Sequence, residues 1–274
     1  MKDKIEFKSP SFIQRLKGML GVDFYRLFHT PLFYIFLAIA AIIPAMILGM
    51  TNIADPNTGE INRLYTNTWQ VIAAKTPLYV VSDIAEYANM NMVFIFGGIM
   101  VSIFIGHDYK SGYVKQLFTT HAKKQDYMMS KSISCAFAMA CMCITYLIGT
   151  VTAGLFTQTS FDVNVFSLII AILSKIIMSL GWASLFTFLN IIFRRYFGVS
   201  IVSSFFFGTG IVIIGFASVL GNSSILNIFL YGSSVYACLT SNMITLLVCS
   251  SISIIWALIY NVLGTRILYK CDVY

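Results

Sequence analysis

The chain has 274 residues, of which 58% are hydrophobic and 11% charged, with a mean hydropathy of +0.82. That composition leaves no room for a soluble domain beside membrane-embedded helices. The net charge of +7 would suggest nucleic acid in a soluble protein, but here the bases fall between apolar runs, so membrane orientation accounts for them and no nucleic-acid partner is expected.

The first 31 residues are too long and too polar for a secretory n-region, and no small-x-small cleavage site follows the apolar run after them. The first run is therefore expected to be a retained anchor. Within this segment, residues 11–29 have helical periodicity. Phe12, Ile13, Leu16, Met19, Leu20, Phe24, Leu27 and Phe28 fall on one arc at about 100° per residue. Gln14, Arg15, Gly18, Tyr25 and Arg26 fall on the other, Asp23 interrupts the apolar arc, and Lys17 lies at its edge. Such a helix is expected in the headgroup layer with its bases near anionic lipid, an elbow before the membrane. Thr30-Pro31 marks its end.

Six apolar stretches follow, at 32–50, 88–106, 133–156, 168–193, 199–221 and 242–264. Each is long enough, at about 1.5 Å per residue, to cross a hydrocarbon core of about 30 Å. Fifteen Lys and Arg residues lie before the first run, in the second and fourth connections and in the tail; Arg63 and Lys75 lie in the first connection, and the third and fifth have none. The positive-inside rule then predicts an all-α protein of six spans with both termini cytoplasmic, forming one transmembrane domain over 1–274.

The connection 51–87 starts with turn chemistry, Asp55-Pro56-Asn57-Thr58-Gly59, and becomes moderately apolar from Trp69 to Val81, which predicts a short interfacial helix. In the fourth run, Lys175 lies nineteen residues before Arg194. That is about 28 Å of helix, so the lysine is expected to snorkel to the outer interface, a substrate or gating role being the alternative. In the fifth run, Ser200, Ser203, Ser204, Phe206 and Thr209 are candidates, with Lys175, to line a pathway, and close helix packing is the other reading. The uncharged stretch 222–241 is too short to cross and is a candidate to dip into the outer leaflet and return. Cys135, Cys141, Cys143 and Cys249 lie in the apolar runs, Cys238 and Cys271 outside them, and His29, His107 and His121 are dispersed. Neither a disulfide framework nor a metal site is expected.

The connection from His107 to Lys131 carries most information. It reads as a basic loop of about 25 residues with a short helix inside it. Val114, Leu117 and Phe118 form an apolar stripe, with Lys115 and Gln116 outside it. Asp108 and Ser111 are positioned to cap that helix, and Gly112 allows a tight turn into it. The stripe is expected to need a groove on a second protein or on the lipid surface.

These residues resemble the coupling-helix loop of ABC-transporter permeases of the type-two exporter class. Asp108, Tyr109, Gly112, Val114 and Lys115, then Lys124, Tyr127, Ser130 and Lys131, match the family's acidic–aromatic–x–x–Gly pattern and its Ser-Lys lead into the next span. Tyr113 stands where Thr is usual, and Thr120-His121-Ala122 replaces a Gly- or Pro-containing turn. The resemblance implies a multi-pass half-transporter of a bacterial cell membrane. A second permease subunit, identical or similar, would complete the pathway. A separate ABC ATPase subunit would dock on Asp108, Tyr109, Gly112, Val114, Lys115, Leu117, Phe118 and Lys124. No GxxxxGK[ST] phosphate loop occurs, so ATP and magnesium are expected on the partner, with no cofactor or catalytic residue on this chain. The implied cargo is apolar or amphipathic: an antimicrobial peptide, a drug or a lipid-like molecule. The alternatives are a secondary carrier or a non-transporting scaffold or sensor subunit. The lack of Asp, Glu and His within the apolar runs argues against a proton-coupled carrier and an intramembrane protease.

Overall fold

The computed structural model describes residues 10–54, 61–63, 90–120, 122–158, 165–221, 228–239 and 242–270. Their regular structure is helical apart from one short β-ladder. The helices are α1 (Phe12–His29), α2 (Pro31–Thr51), α3 (Met92–Lys110), α4 (Tyr113–Thr119), α5 (Lys124–Thr157), α6 (Val165–Ile192), α7 (Phe197–Gly221), α8 (Leu230–Leu239) and α9 (Met243–Lys270). Five of these, α2, α3, α5, α6 and α9, are long and apolar enough to cross a membrane, which makes the chain a helical, multi-pass membrane protein. α7 is a 25-residue helix whose stretch Phe197–Gly210 is likewise apolar.

Local chemistry explains where the first helices begin and end. Ser11 and Gln14 form a reciprocal capping box: the Ser11 amide donates to Gln14 Oε1 at 2.9 Å and the Gln14 amide to Ser11 Oγ at 3.4 Å. The helix stops at Thr30, whose extended backbone suits a residue preceding proline. Pro31 then opens α2 at the position where a missing N–H is harmless.

The charged ends of the long helices correct the expected connection between the second and third apolar runs. α3 starts at Met92 and continues through His107 to Lys110, and α5 starts at Lys124. The expected basic loop is therefore mostly helix, interrupted by two turns around α4. Arg266 and Lys270, expected in a tail, belong to the last turns of α9. Cations at the C-termini of α3 and α9 interact favourably with the exposed carbonyls, so those two helices do not end where hydropathy falls.

β1 (Asn52–Ala54) and β2 (Ile61–Arg63) pair antiparallel with Asn52 opposite Arg63, bracketing the expected Asp55–Gly59 turn. The interfacial helix expected around Trp69 lies outside the described residues. Of 222–241, residues 228–239 are described, and the ten residues of α8, at about 15 Å, are too short to cross a bilayer.

α5 is the hub of the packing, touching α1, α2, α3, α6 and α9, while α6 lies along α9 and α3 along α7. Glycine permits two of the closest approaches. A Cβ on Gly149 of α5 would overlap the Ala41 carbonyl of α2, and one on Gly181 of α6 would overlap Ser253 of α9. Trp182 is fully buried at the centre of the apolar core, 5.4 Å from the Phe94 ring and 5.0 Å from Tyr231. Its indole N–H, which needs a partner when buried, donates to Ser234 Oγ at 2.9 Å.

Candidate functional site: a buried ionic clasp beneath a short helix

Successive long helices run in alternate directions, so α1, α4 and the ends of α3, α5, α6 and α9 gather at one end of the bundle. There α1 turns inward a face that includes its charges. Asp23 is fully buried and Leu27 nearly so, while Ile13 is 74% exposed and Phe28 is 41% exposed. This corrects the expectation that Arg15 and Arg26 face lipid headgroups: each meets a buried carboxylate instead. Arg15 Nε donates to Asp126 Oδ2 at 2.7 Å, and Arg26 Nη2 pairs with Asp108 Oδ1.

The centre of the cluster is Lys131 on α5. Its ammonium, with the side chain wholly buried, lies 2.6 Å from Asp23 Oδ1 and 2.6 Å from Asp108 Oδ2. Ser130 donates to the other Asp23 oxygen at 2.6 Å, and the Tyr127 hydroxyl donates to Asp108 Oδ2 at 3.4 Å. Two cations and two carboxylates from α1, α3 and α5 thus cancel in a cluster where Asp23, Asp108 and Lys131 are wholly buried and only Arg26 reaches the surface. A buried ion pair survives only when geometry and extra hydrogen bonds offset the lost hydration, and here both carboxylates carry such bonds.

α4 closes over this cluster. Gly112 precedes it at φ +73°, a left-handed conformation that glycine adopts freely, as expected. The expected capping by Asp108 and Ser111 does not occur. Asp108 belongs to the last turn of α3 and spends its carboxylate on Arg26 and Lys131, while Ser111 Oγ donates to the Asp108 carbonyl at 3.4 Å. Tyr113, which departs from the family pattern, lays its ring under the Arg26 guanidinium, 4.4 Å away. Burial and then the Asp23 carboxylate raise the Tyr113 phenol above its ordinary pKa, so it stays neutral at physiological pH. For Arg26, burial works against the charge, but the Asp108 carboxylate, its hydrogen bond and the Asp23 carboxylate together outweigh it, and the pKa lies above that of an ordinary arginine.

The apolar stripe of α4 also corrects expectation, because the chain itself covers it. Val114 is buried with Tyr127, Met128, Ile191 and Leu268 in a small cluster, against which Leu117 and Phe118 pack. Phe118 meets the Tyr127 ring edge-on at 5.6 Å. Lys124 is occupied too, donating to the Leu268 carbonyl at 2.6 Å and so pinning the start of α5 to the end of α9. What α4 leaves exposed is polar: Lys115, Gln116, Thr119 and Thr120. Of the expected docking residues, Asp108 and Val114 are therefore buried, Tyr109, Leu117, Phe118 and Lys124 half-buried, and Lys115 exposed.

The candidates for a pathway divide. Ser200 and Ser204 join a buried network in which Asn190 Nδ2 donates to Ser102 Oγ at 3.0 Å, Ser102 donates to Ser204 Oγ at 2.6 Å, and Ser200 donates to Asn190 Oδ1. This network ties α3, α6 and α7 together. Ser203 is half-buried, Phe206 is 66% exposed on the outer surface, and Thr209 donates back to the Phe205 carbonyl. Lys175 does not snorkel outward. It is 4% exposed and turns into the bundle, donating to Asn91 Oδ1 at 2.6 Å and to the Ser234 carbonyl at 3.4 Å. Partners inside the protein replace the water it was expected to seek.

Sequence reasoning missed Asp23, Arg26, Asn190 and Asn91 as network members. Only Asp23 left a signal, as an acid breaking an apolar arc. Among the described residues no grouping of His, Cys, Asp and Glu is arranged to hold a metal ion. Comparison with models of known protein families, with curated proteins and with solved structures finds no match.

Proposed function

We propose that the chain is the membrane-spanning permease subunit of an ATP-driven ABC exporter, with α2, α3, α5, α6, α7 and α9 as its six spans. Both termini and α4 face the cytoplasm. A separate ATPase subunit docks on α4, and a second permease subunit completes the pathway. The observation that carries this reading is the construction around α4. A seven-residue helix shows a polar face to the outside, and its apolar face is fastened to α5 and α9. Tyr113 joins it to a buried ionic cluster holding α1, α3 and α5. A displacement of α4 would therefore move several long helices together rather than bend a loop.

In this reading ATP-dependent closure of the partner pushes on Lys115, Gln116 and Thr119 and shifts the population between inward- and outward-facing states. Nucleotide must favour one state for this to work, by about 5.5 kcal/mol for a complete switch. The loop resemblance adds to this support, and the cargo class, an amphipathic peptide or drug, rests on the resemblance alone.

Because Leu117 and Phe118 pack internally, the exposed face is the cleaner target. Lys115→Glu combined with Thr119→Glu is expected to leave membrane accumulation and melting temperature unchanged while abolishing co-purification of the ATPase subunit and transport. If no ATPase subunit accompanies the wild-type protein from its native membrane, and its cargo moves without ATP, the chain is a carrier or scaffold and the proposal is wrong.

A further inference from the structure

A cavity of about 660 Å³ opens on the outside of the bundle between α5, α6 and α9, with Phe12 of α1 at its rim. Its size falls among small-molecule sites, about 300–1,000 Å³. Along α9 its wall repeats at helical spacing, through Ile254, Leu258, Val262 and Arg266. The twelve helical steps from Ile254 to Arg266 span about 18 Å, close to the hydrocarbon depth of one leaflet.

The chemistry of this groove is graded along its length. Its apolar wall includes Ile133, Leu180, Ile254 and Leu258, the last two 42% and 61% exposed. The polar groups of its floor are already satisfied: Ser132 donates to Asn261 Oδ1 at 3.0 Å, and Asn261 Nδ2 donates to Ser184 Oγ at 3.0 Å. Nothing in that wall or floor therefore asks for a polar ligand. At the end shared with α4 the lining becomes Gln125, Thr265 and Arg266. Of the neighbouring cations, Arg15 is committed to Asp126 and Lys124 to the Leu268 carbonyl. Arg266 has no ion-pair or hydrogen-bond partner among the described residues.

We infer that this groove is a binding site for one anionic phospholipid. Its phosphate lies against Arg266, with Gln125 and Thr265 as hydrogen-bond partners, and an acyl chain lies along Val262, Leu258 and Ile254. The charge at the mouth selects the occupant: a zwitterionic lipid, whose own amine balances its phosphate, gains little from the guanidinium, whereas a phosphate diester without a compensating amine gains a charge-assisted pair. The inference requires only that the chain is embedded in a membrane; it is independent of the exporter reading.

The test uses the full chain in nanodiscs of equal phosphatidylglycerol and phosphatidylcholine, read by native mass spectrometry of retained lipid. Wild type is expected to retain one phosphatidylglycerol with about tenfold preference. Arg266→Gln should bring the two lipids to parity without lowering the melting temperature, and Leu258→Trp, which fills the groove, should abolish retention of both. Equal retention by wild type overturns the inference, as does a preference that survives Arg266→Gln. So does cross-linking between copies through Leu258→Cys, since the groove would then hold a second copy of the chain. Should Arg266→Gln fail to accumulate, the wild-type ratio and its loss in Leu258→Trp decide the matter.

Discussion

Two of the buried polar networks among the described residues work on different principles. The clasp of Asp23, Arg26, Asp108 and Lys131 is ionic and joins α1, α3 and α5 under α4. The network of Ser102, Asn190, Ser200 and Ser204 is neutral and joins α3, α6 and α7. In the neutral network each group that loses a partner can fall back on its own helix, as Asn190 already does through the Phe186 carbonyl at 2.8 Å. A carboxylate or ammonium in the clasp has no such retreat. The ionic network is therefore the more costly to break.

The largest effect should come from Lys131→Met, which leaves two buried carboxylates facing one partly exposed arginine. It should cost about 3–5 kcal/mol, seen as a collapse in membrane accumulation or in melting temperature in detergent. Adding Asp23→Asn should recover a substantial part by restoring charge balance. No recovery would mean that shape, not charge, holds α1. Next in size is Arg26→Gln: Asp108 keeps Lys131, and the arginine side chain is 23% exposed, so a loss of about 1–3 kcal/mol is expected by the same melting measurement. Smallest are the neutral changes. Asn190→Val should cost about 1–2 kcal/mol and Ser204→Ala about 0.6 kcal/mol; an Asn190→Val loss equal to that of Lys131→Met would erase the distinction between the two networks.

The same contrast explains what the sequence reveals. The apolar runs carry enough local signal to locate α2, α6, α7 and α9, and helical periodicity with Thr30-Pro31 bounds α1, whereas the Ser11–Gln14 capping box emerges only in the structure. Helix continuation through His107–Lys110 and Lys124–Lys131 is not legible from hydropathy, because charge ends a hydrophobic run without ending a helix. The clasp is illegible for a different reason. Lys131 and Asp23 are 108 residues apart, and Arg26 and Asp108 are 82 apart. Asp23 reads alone as a break in an apolar arc, Arg26 as a headgroup-facing base, Asp108 as a helix cap and Lys131 as a motif residue, until the fold brings them together. Lys175 teaches the same lesson: helix length puts it near an interface, and only Asn91 and Ser234 show that it turns inward.

The glycine contact between α2 and α5 has a mechanical consequence. With no side chain to act as a bearing, the two backbones meet directly where Gly149 passes Ala41, and lengthwise sliding there would drive peptide against peptide. The motion left to the pair is a scissor-like rotation about that fulcrum. α5 is 34 residues long, about 51 Å, so a small swing of its Lys131 arm would be carried as an opposite swing at the far side of the membrane.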